Sequence, residues 1–320
     1  MSVDEELIRR HQRFEDPVAG FSEEFVQPVL GPGRTVGVLS RPLTDASHMA
    51  WVICHSFGIE QIHLGRLDVI VARALASAGF PVFRFHGQGY GDAEHGMDVV
   101  SLGSHLTETI DAVEFVHSKT GVDKIGVLGA RFGGTVAALV ADRLDLPSLV
   151  MWEPMVKGSQ FMKELLRSQI LAEIVETGRG GGAADLQRIQ EDLAREGRAD
   201  IKGFALTKAA HDEIGSVDLL ADVSRFRGAA LVVGLSRSIR PSALLMRLVA
   251  RLGDLGAAVS FQAVQDAFAP QFGQFRWRTV DGGRSKRDTQ LELNERIAEI
   301  TLAWIRSDVQ PALDSVDASR

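Results

Sequence analysis

The chain has 320 residues, with 35 Lys plus Arg against 42 Asp plus Glu, a formal net charge of −7, and 45% hydrophobic and 24% charged residues. That usage excludes collagen-like, disordered and coiled-coil chains, and the acidic balance argues against non-specific partners such as nucleic acid or an anionic membrane surface. The acidic N-terminus, the absence of an apolar run near the ~18 residues of a membrane span, and the single cysteine, Cys54, predict a soluble protein of a reducing, cytoplasmic compartment.

Short apolar runs alternate with longer amphipathic segments, the rhythm of parallel βαβ units. Arg34–Arg41 reads as a strand, Ala50–Cys54 as a second and Pro81–Phe85 as a third. Leu67–Ala78 between the last two has helical spacing and ends at Gly79, suited to a C-cap. Ser101–Ser118 is predicted helical, with Leu102, Leu106, Ile110, Val113 and Val116 on one face. Lys124–Leu128 reads as strand, Thr135–Arg143 as helix and Pro147–Trp152 as strand. The strands are apolar at nearly every position, as expected of a sheet covered on both faces.

From Pro154 to about Arg227 the segments read as helical with no convincing strand, broken by a flexible glycine run at Gly178–Gly182. The βα rhythm resumes with a strand at Gly228–Leu235, a helix at Pro241–Leu252, a strand at Ala258–Val264 and a helix at Leu291–Ile305. The expected organisation is an α/β core over 1–153 and 228–307, a helical cap inserted at 154–227, and a frayed tail over 308–320.

The most informative stretch is Ile125–Val140, where a strand runs into a helix through Gly129-Ala130-Arg131-Phe132-Gly133. Small flanks let strand and helix pack closely while the middle residue sits on a strained turn, the layout of a nucleophile elbow, G-x-S-x-G. The glycine spacing fits neither a dinucleotide fingerprint nor a Walker A loop. The nucleophile position holds Arg131. Cys54-His55-Ser56-Phe57-Gly58 follows a strand where a loop N–H would complete an oxyanion hole. Arg84-Phe85-His86-Gly87-Gln88-Gly89-Tyr90-Gly91-Asp92 looks like the glycine-rich turn after the next strand, with His86 at a usual Asp and Ala93 at a usual Ser.

On these three landmarks, in order and each on a strand end, the chain resembles the α/β-hydrolase superfamily. More narrowly it resembles the bacterial exosortase-system-associated hydrolases of the serine-aminopeptidase-like group, over Ala50–Leu166 and weakly over Gly228–Gln274. Leu149–Gly158 looks like that group's L-W-x-P-V-x-x-G segment, and some members carry Arg in the elbow. The resemblance implies an α/β-hydrolase fold: a mainly parallel sheet, helices on both faces and an inserted helical cap. The triad positions it implies are not filled. Arg131 replaces the Ser, Gly234–Arg240 holds no carboxylate, no His follows His211, and Asp266 stands near the expected His. Losing Ser or His alone costs on the order of 10⁶ in turnover, so ordinary triad hydrolysis is not expected.

An arginine at a helix N-terminus beside the backbone N–H groups of Phe57 and Phe132 requires an anion, because an unpaired buried guanidinium costs several kcal/mol. The protein could supply Glu153 or Asp92; a ligand could supply a carboxylate, phosphate or sulfate. The leading expectation is an anion-binding site of Arg131, Phe57, Phe132, His55 and Ser56, taking an anionic or acyl-bearing small molecule or a carrier-linked intermediate. A non-triad enzyme with His86 or Glu153 as acid/base is the alternative, and an interaction module with a plugged pocket, binding a protein partner or a second copy, is a third. No cofactor is implied. His55, His63, His86 and His95 lie close in sequence without metal-ligand spacing, so no metal is expected. Cys54 reads as an inert thiol. Phe161, Met162, Leu165 and Leu166, and Phe268, Phe272, Phe275 and Trp277, offer pocket walls or core packing.

Overall fold

The computed structural model describes residues 12–44, 47–177, 183–201, 203–237, 240–265, 272 and 286–311. The chain opens with strands the sequence reading lacked, β1 (Arg13–Asp16) and β2 (Phe21–Val26), followed by the two-residue β3 (Val29–Leu30) and β4 (Gly33–Arg34). β1 is almost wholly exposed and polar, so it carries no hydrophobic period to detect. Then come β5 (Gly37–Pro42), β6 (Met49–Cys54), α1 (Ile59–Ser77), β7 (Val82–Phe85), α2 (Leu102–Thr120), β8 (Lys124–Ala130), α3 (Phe132–Leu144) and β9 (Ser148–Trp152). α1 starts eight residues before the expected Leu67; its first turns expose Ile62 and bury the polar Glu60 along with Leu64, which blurs the helical period.

Between β9 and the next sheet strand lies the inserted segment: α4 (Gly158–Thr177), α5 (Ala183–Glu196), a hairpin of β10 (Arg198–Ile201) and β11 (Phe204–Thr207), α6 (Lys208–Ser216) and α7 (Leu219–Asp222). The hairpin corrects the strandless expectation. Its strands have only four residues each and turn through Gly203 at φ 82°, too short a pattern to stand out from flanking helices. The glycine run at 178–182 lies outside the described residues. The core resumes with β12 (Ala229–Ser236), α8 (Ala243–Asp254), β13 (Ala258–Gln265) and α9 (Lys286–Trp304). The chain does not fray at 308: one π-helical turn spans Ile305–Val309, where Val309 is buried and Asp308 accepts a hydrogen bond from Ser260 at 3.2 Å. Residues 312–320 lie outside the description.

Nine strands form one sheet in the order β1-β2-β5-β7-β6-β8-β9-β12-β13. β1, β2 and β5 are antiparallel, β5 is antiparallel to β7, and the run from β7 to β13 is parallel. α1 and α9 cover one face through Leu64, Leu67, Val71, Leu293 and Ile297. α2, α3 and α8 cover the other through Leu106, Val113, Val136, Val140 and Leu248. Burial on both sides is why the central strands carry no polar alternation. The register sets Cys54 beside Gly129, Ala130 beside Trp152 and Trp152 beside Val233. The residues just past β6, β8, β9 and β12 therefore emerge together at the carboxyl edge, where open parallel sheets place their sites. Among the described residues no helix is long and apolar enough to cross a membrane.

Candidate functional site

The centre of this edge is the turn from β8 to α3. Arg131 takes φ 53° and ψ −121°, a strained conformation for a side-chain-bearing residue, and serves as the N-cap of α3. Its N–H donates to the Trp152 carbonyl at 2.9 Å and its carbonyl accepts from Thr135 N–H at 3.2 Å, so both neighbours pin the turn. The flanking glycines are there for close approach. A Cβ on Gly133 would lie 2.3 Å from the Cys54 carbonyl oxygen, and one on Gly129 would lie 2.5 Å from the backbone of Gly133. The elbow geometry read from Gly129–Gly133 is present.

Arg131 is 8% exposed, and its charge is answered within the protein. Nε donates to Glu60 Oε1 at 3.0 Å and Nη2 donates to Glu164 Oε1 at 2.9 Å. These partners correct the expectation of Glu153 or Asp92. Glu153, itself at φ 47°, turns its carboxylate to the β12 end and accepts the Leu235 N–H at 2.5 Å. It feels the charge of Arg131 without bonding to it, and burial holds its carboxyl above the usual range. Asp92 is exposed on its loop. Glu60 sits in the first turn of α1, where an acidic group suits the helix dipole, and Glu164 comes from α4 of the inserted segment. Burial pushes Glu60 up, while Arg131 and a hydrogen bond from the Phe132 N–H pull it down. The net direction for Glu60 is upward, and Arg131 in turn is held above its ordinary value by the two acidic partners despite burial. The Phe132 N–H, expected as an oxyanion donor, thus already faces a carboxylate of the protein.

His55 and Ser56 lie where the loop after β6 meets the elbow. Ser56 Oγ donates to the Ala130 carbonyl at 2.6 Å and accepts the Gly133 N–H at 3.2 Å, stapling its loop to the elbow. His55 has Nδ1 at 3.3 Å from the Ser56 carbonyl and Nε2 at 3.5 Å from Glu108, with its ring 4.4 Å from that of His105. Burial lowers His55 to about 4 and His105 to about 3, and raises Glu108 to about 7. Phe57 packs edge-on to Phe132 and Phe161, whose two rings stack at 5.6 Å. Phe161, Met162, Leu165 and Leu166 are all buried in the core, joining the inserted segment to it. Phe272 is buried; Phe268, Phe275, Trp277 and Asp266 lie outside the described residues. Cys54 is buried, and burial pushes its thiol far up. Among the described residues no group of three His, Cys, Asp or Glu side chains is arranged for a metal ion.

His86 is half-buried past β7, with Nδ1 accepting the Asp92 N–H at 3.4 Å. It lines a cavity of about 670 Å³ together with His55, Asp68, Tyr90 and, from β11, Phe204; neither Arg131 nor Glu153 lines it. The structure therefore does not bring the two expected acid/base residues to one cavity wall. Sequence reasoning missed Glu60, Glu164, Asp68 and Tyr90. Glu60 carried a usable signal, being an acidic residue two positions past the glycine that ends the oxyanion loop; Glu164 shares the helix face of Phe161 but reads as ordinary surface charge.

Among solved structures, the ferulic-acid-bound Est1E of Butyrivibrio proteoclasticus superposes with a TM-score of 0.59 at 16% identity, covering 88% of this chain and 100% of that one. An esterase of Pyrobaculum calidifontis superposes with a TM-score of 0.52 at 19% identity, covering 90% and 85%. This chain has the α/β-hydrolase fold. The fold runs over both halves of the core, and its elbow carries Arg131. No family profile and no curated protein matches the chain.

Proposed function

We propose that this α/β-hydrolase-fold protein does not hydrolyse through a serine triad and instead binds an anionic or acyl-bearing small molecule, or a carrier-linked intermediate, as an accessory of a bacterial biosynthetic pathway. One observation carries the reading: the elbow position is a buried arginine whose Nε and Nη2 are held by Glu60 and Glu164. A nucleophile there would need a free Oγ and a neighbouring base. The resemblance to exosortase-system-associated hydrolases, and the lone buried Cys54 with no disulfide partner, support a cytoplasmic role of this kind.

Arg131 also sets how an anion would enter. Glu60 is 4% exposed and belongs to the core, whereas the Glu164 side chain is 39% exposed and belongs to the cap. A ligand carboxylate or phosphate takes the place of Glu164, keeping the guanidinium paired while the cap helix yields. The second reading, a non-triad enzyme, is favoured by His86 on the wall of the 670 Å³ cavity, where its Nε2 is the ring nitrogen left for a ligand. A plugged interaction module is the third reading, favoured by the internal pairing of Arg131 with Glu60 and Glu164.

A fluorophosphonate probe on the native protein tests the main reading. No serine should be modified, and Arg131→Ser should not restore ester turnover, since no histidine follows His211. Stoichiometric labelling of a serine in the native chain would overturn it.

A further inference from the structure

The cavity beside β7 is separate from the ion-paired elbow, and its lining has its own chemistry. Asp68, two turns below Gln61 on α1, faces it with no hydrogen bond or ion pair from any described residue. Arg84 lines the same cavity and its charge acts on Asp68; its Nη2 lies 3.3 Å from Glu23 Oε1 while its Nε is buried without a hydrogen-bond partner, and Glu23 is also gripped by Arg73 at 2.6 and 3.2 Å. Burial pushes the Asp68 carboxyl up to about 7 against the pull of Arg84. The carboxyl has no bonded cation, is ionised above that value, and sits where a ligand can reach it.

Part of the remaining wall is aromatic, beside Arg84, His86, Asp92 and aliphatic side chains such as Val38 and Ile62. Phe85 lies 5.3 Å from the His55 ring, His55 lies 5.4 Å from Tyr90, and Tyr90 lies 6.0 Å from Phe204. Phe25, half exposed, stands at the mouth. Tyr90 stays a neutral phenol because burial raises its pKa, against the opposing pull of the Gly58 N–H that its oxygen accepts at 2.8 Å. Aromatic rings beside a carboxyl with no bonded cation favour one class of ligand above others. Cations are drawn to the ring quadrupoles and to Asp68, while the one arginine of the lining, Arg84, is turned towards Glu23.

We propose that this cavity is a binding site for an organic ammonium group, a protonated amine or a quaternary ammonium on an apolar body, with Asp68 as counter-ion and Phe85, Tyr90 and Phe204 as the cage. The site uses neither Arg131 nor Glu164, so its failure leaves the reading of the elbow standing.

The test is calorimetric titration of the full-length chain with benzyltrimethylammonium, with its neutral isostere neopentylbenzene's water-soluble analogue benzyl alcohol, and with benzoate. The ammonium should bind at least about tenfold more tightly than either other probe, a difference of about 1.4 kcal/mol. Asp68→Asn should weaken it by about the same factor while the ligand-free melting temperature holds or rises, since the substitution removes a buried charge. Phe204→Leu, on the hairpin rather than the core, gives a second variant and should weaken the ammonium but not benzyl alcohol. Binding of the ammonium that is indifferent to Asp68→Asn and Phe204→Leu, equal or tighter binding of benzoate or benzyl alcohol, or no binding of the ammonium at millimolar concentration would each overturn the proposal.

Discussion

Arg131→Met is the substitution that most directly interrogates the elbow. Methionine keeps the length of the side chain and, unlike glycine, keeps the strain of a side chain at φ 53°, so the measured change reports the lost charge rather than a relaxed backbone. The side chains of Arg131 and Glu60 are 9% and 5% exposed. Removing one member of so buried a pair leaves a carboxylate with the Phe132 N–H but without its cation, and such losses amount to roughly 3–5 kcal/mol. At roughly 2–4 °C per kcal/mol for domains somewhat smaller than this one, the melting temperature should fall by roughly 6–20 °C. Glu60 can escape the penalty by taking up a proton, so the deficit should shrink as the pH is lowered towards about 5. Adding Glu60→Gln should recover most of the loss, because the stranded charge is then gone. Urea unfolding of the two single variants and the double variant yields the coupling energy. A loss below about 1 kcal/mol for Arg131→Met, or strict additivity in the double variant, would refute a buried ion pair at the elbow.

Glu164→Gln should cost under about 1 kcal/mol, as its carboxylate is partly solvated, yet it should strengthen binding of a carboxylate probe such as hexanoate, measured by thermal shift. Glu108 holds a proton in the folded state up to about pH 7 that the unfolded chain has lost above its ordinary value of 4.5, so its contribution to stability declines as the pH rises through that window. Relative to the parent, Glu108→Gln should therefore gain roughly 1–3 kcal/mol between about pH 5 and pH 8 in urea titrations, and a change of opposite sign would contradict the burial argument. Cys54 should resist iodoacetamide in the native state and react fully in denaturant, which mass spectrometry of the intact chain reads directly, because the reactive thiolate is suppressed by burial.

Much of this protein is legible in one dimension. Alternating apolar strands and amphipathic helices follow from burial on two faces of a sheet, and the period of each element is written within its own ten to twenty residues. Gly129 and Gly133 announce the elbow because only hydrogen side chains fit where β8, α3 and the loop after β6 touch. That an arginine, Arg131, stands at the middle of this turn needs no coordinates at all.

Which anion answers Arg131 is another matter. Glu153 is closer in sequence than Glu60, but its backbone turns at φ 47° and its carboxylate goes to Leu235, while Glu60 and Glu164 arrive from 71 residues before and 33 after. Pairing depends on where side chains point after the sheet closes and the inserted segment packs through Phe161 and Leu165, and neither direction is encoded locally. The same holds for Asp68, one polar residue on an amphipathic helix until β7 and the β10–β11 hairpin wall it into a cavity. Short-range pattern decides the elements; long-range packing decides which charges meet.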